Sequence, residues 1–127
     1  MNFKFKTGFI LTIVLVSIFC SFNYSQMKKI VEKDGLGIYF LFYSEGNGVE
    51  NNGVVIYLEN KNNYAIRYTF HLIFRTEIGE KTQEVEGLLK AGERKTGSDE
   101  GLYFIPYQDK RSIIELGVKK ISVEKTQ

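Results

Sequence analysis

Apolar and polar residues alternate along most of this chain, with a period of two. From Tyr64 the residues Tyr64, Ile66, Tyr68, Phe70, Leu72 and Phe74 fall on one parity, and Ala65, Arg67, Thr69, His71, Ile73 and Arg75 on the other. An apolar face opposed to a mostly polar one predicts a long half-buried strand, and its β-branched and aromatic residues suit a pleated surface. The same test places strands at 38–43, 54–58, 82–89, 102–105 and 112–123, with a further edge strand at 27–31. The run Ile38-Tyr39-Phe40-Leu41-Phe42-Tyr43 is apolar throughout, so it is either covered on both sides or carries an aromatic outer face. In the last segment the apolar phase moves from Leu116 and Val118 to Ile121 and Val123, which predicts a bulge near Lys119-Lys120.

Turn signals separate these runs: Asp34-Gly35, Gly46-Asn47-Gly48, Asn51-Asn52-Gly53, Asn60 to Asn63, Ile78-Gly79, Ala91-Gly92 and Glu100-Gly101. No segment keeps helical spacing over three turns, and the one proline, Pro106, fits a strand end. Short strands at this spacing indicate an all-β sandwich or barrel. The expectation is an antiparallel β-sandwich of seven or eight strands.

The first residues follow a different pattern. Lys4 and Lys6 precede an apolar run from Phe9 to Cys20, and Ser21, Asn23, Ser25 and Gln26 follow it. A positive start, an apolar middle of roughly a dozen residues and a polar exit form the layout of a secretory signal peptide. The run falls short of the ~20 apolar residues that cross a bilayer. Lipidation at Cys20 is disfavoured by the bulky Phe19 before it. Residues 1–25 are therefore expected to be a signal peptide, cut after Ser25 with Ser21 as the other option, and 26–127 a single β domain.

Cleavage changes the charge balance. The 127-residue chain has 17 basic and 15 acidic residues, and Lys4 and Lys6 are the only charges before residue 26, so the remainder is neutral. Nucleic-acid binding needs a basic footprint. Lys28-Lys29 and Lys119-Lys120 read as isolated pairs of solvated strand-end charges, so nucleic acid is not an expected partner. Cys20 is the only cysteine and leaves with the leader, so no disulfide holds the domain. Core burial must suffice, as it commonly does at about 100 residues.

One stretch carries a resemblance. Val54 to Phe74, with Leu88-Leu89-Lys90-Ala91-Gly92-Glu93 after it, resembles small exported bacterial immunoglobulin-like domains. In those, a strand ends in an Asn-containing turn, an aromatic-rich strand follows, and a Leu-x-x-Gly-Glu turn leads into the later strands. The resemblance implies an immunoglobulin-like sandwich and brings no catalytic or ligand residue with it.

Candidate chemistry is sparse. A Ser-His-Asp triad would have to use His71, the only histidine, with Ser44, Ser98, Ser112 or Ser122. The segment Gly97-Ser98-Asp99-Glu100-Gly101 misses the Gly-x-Ser-x-Gly spacing by one residue, and no strand-to-helix turn presents it. One His without Cys cannot build the usual zinc sites. The loop Glu45 to Gly53 offers oxygen ligands for calcium in a spacing that matches no standard loop. Glu84 and Glu86 share a strand face and read as solvated surface rather than a glycosidase pair. No catalytic, cofactor-binding or metal residue is assigned.

Seven tyrosines remain after residue 25: Tyr39, Tyr43, Tyr57, Tyr64, Tyr68, Tyr103 and Tyr107. Tyr39, Leu41 and Tyr43 share one parity, and Tyr57 opposes Val54, Ile56 and Leu58. Should those parities face outward, a tyrosine-bearing patch results, and such patches mark interaction sites. The expected function is thus that of an exported, periplasmic or secreted, non-enzymatic protein without a stable membrane anchor. It would act by contacts with another envelope or extracellular protein, in an accessory, adhesion or inhibitor-like role. The alternative is a small-ligand or glycan binder using exposed tyrosines and the Glu45–Gly53 loop.

Overall fold

A computed structural model describes residues 27–44, 51–107 and 111–126. The signal peptide expected at 1–25 and most of the Glu45–Gly53 loop lie outside the described residues. The chain is all-β. Strands β1 (Lys28–Lys33), β2 (Leu36–Tyr43), β3 (Gly53–Asn60), β4 (Ile66–Thr76), β5 (Gly79–Leu89), β6 (Arg94–Thr96), β7 (Tyr103–Phe104) and β8 (Glu115–Lys125) form two antiparallel sheets. One sheet runs β1-β2-β3, with β6 and β7 both pairing the far side of β3, and the other runs β5-β4-β8. A single 3-10 turn, Ser98–Glu100, is the one helical piece among the described residues.

The alternation read around residues 64–75 appears directly in β4. Ile66, Tyr68, Phe70, Leu72 and Phe74 are all at most 3% exposed, whereas Arg67 and Arg75 are open to solvent. They meet Leu36, Ile38, Val54, Ile56 and Leu58 of the first sheet in one hydrophobic cluster, joined by Val85, Leu89, Leu102 and Ile113. The inner residues of the two sheets thus make a shared core, its main stabilising term. Tyr64 falls just before β4 and packs at the rim of this cluster.

The phase change in the last strand is a bulge. Thr69 pairs with Ser122 and His71 with Lys119, so Phe70 alone faces the two residues Lys120 and Ile121. Lys120 takes the left-handed conformation, φ 56°, that absorbs the extra residue. On one side of the bulge Leu116 and Val118 pack against the core, and on the other Ile121 and Val123 do. Lys28-Lys29 opens β1 as a strand-end pair, but Lys119-Lys120 sits mid-strand at the bulge, which corrects the strand-end expectation.

Turn chemistry sets the remaining geometry. Asp34 and Gly35, at φ 51° and 83°, form the two-residue loop of the β1–β2 hairpin, with Lys33 opposite Leu36. Two successive positive φ values are what the right-handed strand twist selects at such a loop. The Asn-containing turn and the Leu-x-x-Gly-Glu turn, 29 residues and more apart, meet through one side chain. Asn60 is fully buried, and its Nδ2 donates to the carbonyl oxygens of Tyr64 (2.9 Å), Lys90 (2.9 Å) and Leu89 (3.4 Å). Its Oδ1 accepts from the Asn62 backbone N–H and from Asn62 Nδ2, both at 3.0 Å. Asn62 Nδ2 also donates to the Asp34 carbonyl at 2.9 Å, which brings the β1–β2 hairpin into the same network.

Candidate interaction surface

The two sheets differ sharply on the faces turned away from the core. On the β5-β4-β8 sheet, register places Arg67, Thr69, His71, Ile73 and Arg75 of β4 between Leu88, Glu86, Glu84, Thr82 and Glu80 of β5 and Glu124, Ser122, Lys119, Gly117 and Glu115 of β8. The ions answer one another across the strands. Arg75 Nη2 lies 2.9 Å from Glu80, and Arg75 Nη1 bonds Glu115. Hydrogen bonding to Glu80 and the charge of Glu115 hold this guanidinium even more firmly protonated than usual. His71 Nε2 stands 3.9 Å from Glu84 Oε2 and opposite Lys119. This is a solvated ionic surface, and such exposed pairs contribute little individually.

His71 therefore sits where the alternation placed it, on the polar face of β4. Ser98 begins the 3-10 turn next to the other sheet, and Glu84 and Glu86 lie exposed on the outer face of β5. Among the described residues no group of three His, Cys, Asp or Glu could hold a metal ion. Among them too, no helix is long and apolar enough to cross a membrane.

The outer face of the β1-β2-β3 sheet is aromatic. Register sets Tyr39 against Tyr57, Leu41 against Val55 and Tyr103 of β7 against Val55. The Tyr39 and Tyr57 rings are 5.6 Å apart, and Tyr43 meets Tyr103 edge-on at 6.0 Å, distances at which aromatic pairs attract. Tyr57 is 8% exposed although it stands outside the core cluster, so its burial belongs to this face. Tyr43, at 46%, is the one exposed member of the row, and Tyr39, Leu41, Val55 and Tyr103 are half-buried. The two options read from Ile38–Tyr43 resolve accordingly: Ile38 joins the core with Phe40 and Phe42 packed against it, and Tyr39, Leu41 and Tyr43 form the outer row.

Several contacts hold this row in place. Tyr39 leans over Gly37, where an added Cβ would come within 2.9 Å of its ring. Lys29 Nζ stands 5.9 Å from the Tyr39 ring centre, and interaction with Glu32, then with Tyr39, holds the Lys61 ammonium more firmly protonated than usual. Lys61 and Lys29 both pair with Glu32, at 2.8 and 3.2 Å. The Lys61 bond, and then that of Lys29, keeps the Glu32 carboxyl below its ordinary range. At the other end, the Tyr103 hydroxyl is enclosed and finds no hydrogen-bond partner among the described residues. The face is thus graded from a paired ionic end to an aromatic end.

The other tyrosines serve elsewhere. Tyr68 is in the core, Tyr107 donates its hydroxyl to the Phe74 carbonyl at 3.1 Å, and Tyr64 lies beneath Lys125 Nζ at 4.8 Å. Sequence reasoning names Tyr103 and a strand at 102–105 but does not place that tyrosine on this face, because nothing in so short a strand reveals that it pairs with β3. Comparison with known proteins finds no matching family model, no matching curated protein and no matching solved structure.

Proposed function

We propose that this chain is an exported, non-enzymatic protein of the periplasm or the extracellular space. In this reading it is an immunoglobulin-like β-sandwich that acts through protein–protein contacts, with the outer face of the β1-β2-β3 sheet as its contact surface. One observation carries the proposal: Tyr39, Leu41, Tyr43, Val55, Tyr57 and Tyr103 gather on a face the shared core does not use. Aromatic residues are enriched at the centres of interfaces, where they bring large area at low entropic cost. The opposite outer face is mostly charged and polar, with Leu88 and Ile73 as its apolar residues and no aromatic row.

The strand order supports the immunoglobulin-like part. With β1 and β5 counted as additions, β3 and β7 become the second and fifth strands and β4 and β8 the third and sixth; they pair within separate sheets, as those strands do in that fold. The charge and hydropathy pattern of residues 1–25 supports export.

The test uses the purified chain as bait in envelope and culture-medium extracts, with Tyr43→Glu and Glu84→Lys variants beside it. A protein retained by wild type and by Glu84→Lys, and lost with Tyr43→Glu, is the expected result. Retention unchanged by Tyr43→Glu overturns the proposed face. A thermal shift with sugars or other small molecules, without any retained protein, favours the ligand-binding alternative.

A further inference from the structure

β8 is an eleven-residue strand with β4 along one side and, among the described residues, no strand along the other. Such an edge offers its backbone to any extended chain, and another copy of the same chain is always at hand. Apart from one residue, the sequence of β8 suits that role. Without Lys120, the core-facing Leu116, Val118, Ile121 and Val123 would follow one another at strict two-residue intervals. Lys120 is a single insertion in an otherwise regular alternation. It costs about 1–2 kcal/mol as a non-glycine residue in the left-handed region.

We propose that the Lys120 bulge, together with Lys33, is a guard that keeps the β8 edge from pairing with β8 of a second copy. Three features act in the same direction. The bulge interrupts the ladder an incoming strand would have to match, since two residues of β8 oppose Phe70. Lys119 and Lys120 lie near the middle of the strand, so an antiparallel pairing of two copies centred there brings four ammonium groups together. Finally, Lys33 shares the inward parity of its partner Leu36, and its Nζ donates across to the Ile121 carbonyl at 3.1 Å. The facing edge, β1, is likewise interrupted, between Lys29 and Val31. Inward-pointing lysines and bulges are the devices that protect free strand edges.

Deletion of Lys120 tests the guard, by sedimentation velocity over a concentration series beside wild type and Lys120→Gly, which preserves the bulge. The deletion is expected to associate at concentrations at least about tenfold lower than wild type, with slowed amide exchange along residues 115–125. Lys120→Gly, which keeps the bulge, Lys119 and Lys33 but loses one ammonium per copy, is expected to associate clearly less readily than the deletion. A deletion variant with a native strand spectrum and wild-type sedimentation overturns the proposal. If the deletion does not fold, a Lys33→Ala, Lys119→Ser, Lys120→Asn variant takes its place, since Asn tolerates the left-handed region. That variant must also associate more readily than wild type, and unchanged sedimentation overturns the proposal equally. Adding Tyr43→Ala separates this edge from the tyrosine face: association through β8 persists in its presence.

Discussion

The Asn60 side chain donates to the Lys90 carbonyl oxygen at 2.9 Å, which ties the turn after β3 to the turn after β5. Both turns carry the chain from one sheet to the other, so the bond fixes how the chain passes between them. Asn60 is fully buried and its amide serves five hydrogen bonds in all. Asn60→Ala leaves carbonyls of Tyr64, Leu89 and Lys90 without that donor in a place water reaches poorly. A loss on the order of 3 kcal/mol is expected, read as a lower urea midpoint. A loss under about 0.5 kcal/mol, typical of plain surface changes, would show that the network contributes nothing to folding.

Alkaline pH should expose a second dependence. Burial, followed by the charges of Glu100 and Glu93, raises the Tyr68 hydroxyl above its ordinary value of 10.0. The neutral phenol is the form the folded state favours. Its contribution is therefore complete below the unfolded value near 10 and is lost as pH rises through the higher folded value. Denaturation midpoints measured between pH 8 and 12 should fall more steeply for wild type than for Tyr68→Phe. Parallel curves for the two proteins would remove Tyr68 from the account.

Lys120 gives a prediction of opposite sign. Glycine at this position avoids the left-handed penalty, worth about 1–2 kcal/mol, and loses part of that gain to its greater unfolded-state freedom. Lys120→Gly should stabilise the chain by up to about 1 kcal/mol, and Lys120→Val should destabilise it because a β-branched residue fits φ 56° poorly. Thermal melts of the two variants beside wild type decide the order.

Much of this was legible in the residues, and the omissions have physical causes. β4 could be read because its inward and outward sets differ in polarity at nearly every step. The β8 bulge could be read because an inserted residue shifts the apolar phase. β6 was not anticipated: Arg94, Lys95 and Thr96 carry no apolar alternation, and only their pairing with Tyr57, Leu58 and Glu59 makes them a strand. The two parities of β2 are both apolar, so only register against β3 separates the core row from the tyrosine row. Asn60 read as one of several turn residues, because its burial depends on Leu89 and Lys90 arriving from about thirty positions away.

The central claim is that the tyrosine-bearing face meets a protein partner. Its most direct test places a photo-crosslinking amino acid at Tyr43 and, in a separate chain, at Glu84 on the opposite outer face, with irradiation in the producing cells and their medium. A discrete crosslinked species is expected from position 43 and none from position 84. Crosslinks from position 84 alone, or from neither position in a folded and exported chain, would contradict it.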